Sequence, residues 1–101
     1  MKLVRDHIPE IIEEDGNWCL TRQVHGVDEH IVMLKEKMIE ETQEFIENPC
    51  YEEAADMVEV IKAFCYLNNL EWDSVLSTAA DKEERRGGFY RGIILQKVGE
   101  R

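Results

Sequence analysis

Two acidic motifs fall where helices are expected to carry apolar residues, and carboxylates at such positions can bind a metal ion. The motifs are Glu40-Glu41-x-x-Glu44 and Glu53-x-x-Asp56. At about 100° per residue, Glu41 lies within the apolar stripe of its helix and Glu44 lies one turn further along the edge of that stripe. Asp56 and Glu53 continue the apolar stripe of the next helix toward its N-terminus.

The helices that carry these motifs, residues 28–47 and 51–69, are joined only by Asn48-Pro49-Cys50, which predicts antiparallel packing. The carboxylates that would then converge near the connection are those of Glu41, Glu44, Glu53 and Asp56. Without a counter-charge their pKa values would be raised and the cluster would resist packing. Oxygen ligands, with no cysteine or histidine in either motif, suit Mg²⁺, with Mn²⁺ as a substitute.

The alternative is that both motifs belong to the solvated faces of acidic helices. The chain has 22 acidic residues, and an ExxE spacing arises by chance in such helices. Their occurrence in adjacent helices, each interrupting an apolar stripe, favours the metal site.

A second group of charged residues is basic and lies near the C-terminus. Half of the twelve basic residues occupy the final twenty positions. Lys82, Arg85 and Arg86 could neutralise phosphate, or they could simply complement the dipole of a helix that ends there. At the other end of the chain, Lys2 and Arg5 allow two similar interpretations. They could contact phosphate, or they could belong to an ordinary solvated terminus.

Four helices that must position these residues can be read from the periodicity. We predict helices at 6–14, at 28–47 with Asp28 as N-cap, at 51–69, and at 72–86 with Gly87-Gly88 as the stop. Residues 18–24 are predicted as a short strand or extended segment that could pair with the extended tail at 89–95. The predicted fold class is therefore an all-α helical bundle with at most that small β pairing.

Composition limits the classes of function. A chain of 101 residues predicts one domain, and a formal net charge of −10 argues against duplex nucleic acid as a partner. Three cysteines without a CxxC pair favour a reducing compartment, and no apolar run reaches the length of about 18 residues that a membrane span needs. We therefore expect a soluble, cytoplasmic protein. The helix at 51–69 is apolar on almost all sides, which predicts a homodimer or higher homo-oligomer.

Four segments, in order along the chain, resemble the MazG-like all-α nucleoside triphosphate pyrophosphohydrolases. They are residues 3–12 (LVRDHIPEII), 37–45 (KMIEETQEF), 53–61 (EAADMVEVI) and 82–89 (KEERRGGF). The closest branch is that of the small stand-alone phosphoribosyl-ATP pyrophosphohydrolase-like proteins. The resemblance implies one MazG-like domain over residues 1–101, with Mg²⁺ held by Glu41, Glu44, Glu53 and Asp56. It further implies phosphate contacts from Lys82, Arg85 and Arg86.

The activity implied by this resemblance is the Mg²⁺-dependent hydrolysis of nucleoside triphosphates, including non-canonical ones, to the monophosphate and pyrophosphate. Glu40 or Glu44 would accept the proton of the attacking water. Two alternatives stay open: hydrolysis of phosphoribosyl-ATP in histidine biosynthesis, and a non-catalytic helical dimer that binds a metal or a nucleotide. A di-iron carboxylate bundle is disfavoured because such bundles use ExxH pairs, and His25 and His30 lie outside both acidic motifs.

Overall fold

Helices account for all the regular secondary structure of residues 1–100, the part of the chain that the computed structural model describes. The helices are α1 (Ile8–Glu14), α2 (Val27–Glu47), α3 (Tyr51–Leu67) and α4 (Trp72–Arg86). This confirms the predicted all-α class, with helix bounds within two residues of those predicted. Residues 17–24 and 92–100 have no regular structure, and no strand forms within residues 1–100. A strand needs a ladder of backbone hydrogen bonds, and none joins residues 18–24 to another described segment.

The chain forms two compact units, the first spanning Met1–Leu70 and the second beginning at Glu71. In the first unit α2 and α3 pack against each other, joined by the three-residue connection from Asn48 to Cys50. Pro49 ends α2 because the residue before a proline is driven out of the helical region, and Asn48 accordingly has φ −139° and ψ 77°. The result is an antiparallel helical hairpin.

The start of α2 differs from the prediction. The N-cap is Gly26, with no capping hydrogen bond from a side chain, and Asp28 lies inside the first turn. Glu29 instead ties the preceding residue to the first turn, because its Oε1 accepts the backbone N–H of His25, the residue before the N-cap, at 2.8 Å. Arg22 donates two hydrogen bonds to the same carboxylate, at 2.8 and 3.0 Å. This bidentate contact anchors the irregular segment before the helix.

The apolar core between α2 and α3 is small. Leu34, Val60 and Cys65 are its buried members. The sequence predicts α3 to be apolar on almost all sides, and in a single chain some of its large side chains stay exposed. Val58 is 43% exposed and Tyr66 is 79% exposed. One neighbouring helix covers only one face of α3.

The second unit consists of α4 and the residues that follow it. α4 ends where the glycine pair predicts, because Gly87 adopts φ 80°, a left-handed conformation that side chains disfavour. None of the helices formed by residues 1–100 combines the length and the apolar character needed to cross a membrane.

Candidate metal centre

The hairpin brings the two acidic motifs to one place. Both motifs lie near the Asn48–Cys50 connection, and antiparallel packing sets the last turns of α2 beside the first turns of α3. As a result, carboxylate oxygens of Glu41, Glu53 and Asp56 all lie within 4.8 Å of one another. We call these three residues the acidic cluster.

Glu41 is the centre of the arrangement. Its carboxylate belongs to the acidic cluster and also to a second group, formed with Glu40 and Glu44 on its own helix, in which the oxygens again lie within 4.8 Å of one another. Glu44 is therefore close to Glu41 but is not grouped with Glu53 and Asp56. Of the four carboxylates predicted to converge, the other three, Glu44, Glu53 and Asp56, each place an oxygen within 4.8 Å of one on Glu41.

Glu41 is also the most deeply buried charged residue described, with 5% of its surface exposed. Burial raises the pKa of its carboxyl group above the ordinary value of 4.5, and the charge of Glu44 raises it further, whereas Lys37 lowers it and Asp56 raises it. A buried carboxylate in such surroundings is costly unless a cation compensates it.

Two oxygens of the acidic cluster have no partner. Glu41 Oε2 and Glu53 Oε2 are buried and accept no hydrogen bond from residues 1–100. Buried acceptors in native proteins are nearly always satisfied, so a cation bound here would find two carboxylate oxygens that no protein group satisfies. An oxygen-only donor set of three to four carboxylates fits a hard divalent cation such as Mg²⁺ or Mn²⁺.

Lys37 is a member of this site that the sequence reasoning did not include. Its Nζ lies 3.5 Å from Glu41 Oε1 and 3.6 Å from Glu40 Oε1, and its side chain is largely buried, with 19% exposed. The signal was present in the sequence, because residues three and four apart on a helix are neighbours. The cluster is thus partly neutralised from within α2.

Arg5 contacts the acidic cluster directly. Its Nη2 donates a hydrogen bond to Asp56 Oδ1 at 2.6 Å, and both side chains are partly exposed. The sequence suggested Arg5 as a phosphate contact, whereas in the structure its partner is a carboxylate of the cluster. Lys2, suggested for the same role, is exposed in the non-helical segment before α1.

The remaining basic candidates lie in the second unit. Lys82, Arg85 and Arg86 occupy the end of α4, where all three are exposed. The Nε of Arg85 makes a long hydrogen bond of 3.4 Å to the Asp81 carbonyl, one turn earlier on the same helix. Within their own unit these side chains are free to meet an anion, and they also suit the negative end of the helix dipole.

Comparison of the chain with protein-family models, with curated proteins and with solved structures finds no match.

Proposed function

We propose that this protein is a divalent-cation-dependent nucleotide pyrophosphohydrolase that converts nucleoside triphosphates to monophosphates and pyrophosphate. The observation that supports it most is the state of Glu41, a 5%-exposed carboxylate with an unpartnered Oε2, in a cluster where Glu53 carries a second unpartnered oxygen. The four residues proposed to hold the cation are Glu41, Glu44, Glu53 and Asp56. The resemblance of the acidic and basic motifs to MazG-like enzymes supplies the reaction class.

A Mg²⁺ ion held there would draw polyphosphate oxygens to the site and lower the pKa of a coordinated water. Glu40 suits the role of proton acceptor for the attacking water, because it adjoins Glu41 and yet lies outside the acidic cluster, with 45% of its side chain exposed. Glu44 is the second candidate. The ammonium group of Lys37 contacts the carboxylates of both Glu40 and Glu41 and would hold them in position.

Lys82, Arg85 and Arg86 are the proposed contacts for the departing pyrophosphate, where fixed positive charge favours the charge that develops. Lys2 and Arg5 are further candidates for substrate contact.

We also propose that the protein works as a homodimer or a higher homo-oligomer in the cytoplasm. Val32, Ile39 and Ile46 recur every seven residues on α2 and therefore share one face, and they are 51%, 63% and 71% exposed. An exposed apolar stripe of this kind is typical of a surface that another protein covers. The three described cysteines are free, as a reducing compartment would keep them.

The test is a panel of canonical and damaged nucleoside triphosphates and phosphoribosyl-ATP, assayed for pyrophosphate with Mg²⁺ and with EDTA. We expect release that requires Mg²⁺, and loss of that release in Glu41→Gln. Glu36→Gln is the matched control, because it removes an exposed carboxylate from the same helix. Cation binding without pyrophosphate release from any member of the panel would contradict the proposed pyrophosphohydrolase activity. It would favour a non-catalytic binding protein. Unchanged turnover in Glu41→Gln would contradict the assignment of the ligand.

A further inference from the structure

Arg5 joins the N-terminal segment to the acidic cluster. Its guanidinium bonds to Asp56, 51 positions away along the chain, at 2.6 Å. Its backbone carbonyl also accepts the N–H of Ile8 at 3.1 Å, at the start of α1. One residue therefore connects the beginning of α1 with a carboxylate of α3.

The carboxylate that Arg5 holds is one that a cation would need. Asp56 belongs with Glu41 and Glu53 to the group whose oxygens lie within 4.8 Å of one another. An arginine keeps its positive charge at every pH at which proteins are folded. A divalent cation that enters the cluster must therefore bind beside this charge or displace it from Asp56.

We infer that Arg5 is a built-in competitor of the divalent cation: it occupies Asp56 in the cation-free protein and lowers the affinity of the acidic cluster for the metal. This inference rests on the cation site of the proposed function. Thermodynamic linkage makes this competition reciprocal. The free energy by which the Arg5–Asp56 contact weakens cation binding equals the free energy by which a bound cation weakens that contact. Loading the site thus weakens the tie between α3 and the N-terminal segment.

Arg5 is better suited to this role than Lys37. Lys37 is largely buried, and its position on α2 keeps it beside the carboxylates of the same helix. Arg5 comes from a non-helical segment and its side chain is 56% exposed, so it can swing into solvent without disturbing a packed helix. Of these two cations near the cluster, Arg5 is the one that can leave.

The test is a calorimetric titration with MnCl₂, without nucleotide and at low salt, of the wild-type protein and of Arg5→Lys, Arg5→Gln and Arg5→Glu. An exposed ion pair is worth up to about fivefold in an equilibrium constant, so we expect Arg5→Gln to bind Mn²⁺ about two- to fivefold more tightly. Arg5→Lys should stay close to wild type, and Arg5→Glu should bind more tightly than Arg5→Gln. High salt should shrink these differences, because the competition is electrostatic.

The matched control is Arg22→Gln, which removes a guanidinium from a comparable pair with Glu29, outside the cluster. It should leave Mn²⁺ affinity unchanged. Unchanged affinity in Arg5→Gln would overturn the inference, and weaker binding would do so too, since it would mean that Arg5 positions Asp56 for the metal. Failure of the wild-type protein to bind Mn²⁺ at all would instead overturn the proposed cation site.

Discussion

Replacing Glu41 by glutamine is expected to stabilise the cation-free protein. The substitution keeps the shape of a buried side chain, removes its negative charge, and places N–H donors where neighbouring carboxylates can accept them. A buried acceptor without a partner costs about 1–3 kcal/mol, and the lost contact with Lys37 offsets up to about 1 kcal/mol of that gain. We therefore expect a net increase of about 1–2 kcal/mol in the free energy of unfolding.

The assay is thermal unfolding followed by circular dichroism, in EDTA and in excess Mg²⁺. For a domain of this size each kcal/mol shifts Tm by about 4–8 °C. In EDTA the variant should melt above the wild type. Excess Mg²⁺ should reverse the order, because a ligand at a hundred times its Kd adds about 2.7 kcal/mol to a protein that binds it, and the variant has lost a ligand.

The pH dependence gives a second check on the same residue. The pKa of the Glu41 carboxyl group is raised in the folded state above its ordinary value of 4.5. The folded protein therefore binds the proton more tightly than the unfolded chain, and cation-free wild type loses stability as pH rises from 4.5 through the raised pKa. The advantage of Glu41→Gln should thus vanish below 4.5 and grow as pH rises through the raised pKa.

Glu36→Gln is the control for this experiment. Glu36 is exposed on the same helix, so its substitution should change the free energy of unfolding by less than about 0.5 kcal/mol. The reasoning is refuted if Glu41→Gln in EDTA at neutral pH is no more stable than the wild type, because the buried charge would then carry no cost.

Three further predictions concern other parts of the first unit. Glu53→Gln removes the second orphaned carboxylate and should weaken Mn²⁺ binding at least about tenfold, measured by calorimetry; equal affinity would exclude Glu53 as a ligand. The bond from Arg22 lowers the pKa of Glu29 to about 2, so the stability this pair adds is present above 4.5 and lost as pH falls toward 2. Acid titration followed by circular dichroism should therefore show a shallower loss in Glu29→Gln, and an unchanged profile would contradict the pair's role. Ile39→Glu, on the exposed stripe of α2, should shift a homo-oligomer toward monomer in analytical ultracentrifugation, whereas an exposed polar control, Gln43→Glu, should not.

Much of the helical framework can be predicted from local signals. Pro49 excludes the helical conformation from the residue before it, and Gly87 permits the left-handed turn that ends α4. The apolar periodicity identifies the helices that carry the acidic motifs, and the short connection between them requires antiparallel packing. These signals also predict the meeting of Glu41, Glu53 and Asp56, because facing turns of a tight hairpin are neighbours.

Local signals fail where an outcome depends on a distant partner. A strand at residues 18–24 fits the composition of that segment, yet a strand exists only when another segment bonds to it, and none does within residues 1–100. Asp28 is a suitable capping residue by type, but α2 begins after Gly26, and Asp28 lies inside the first turn, where it cannot act as the N-cap.

The sequence by itself determined that this chain is helical and that its carboxylates gather at one end of a hairpin, since both follow from helix geometry and a three-residue connection. Only the tertiary structure decided which charges meet them. Lys37 could have pointed to solvent, and it instead lies against Glu40 and Glu41. Arg5 reaches Asp56 across 51 positions, a contact set by where the non-helical N-terminal segment lies relative to α3. No local rule encodes that path, because it depends on the packing of segments far apart in the chain.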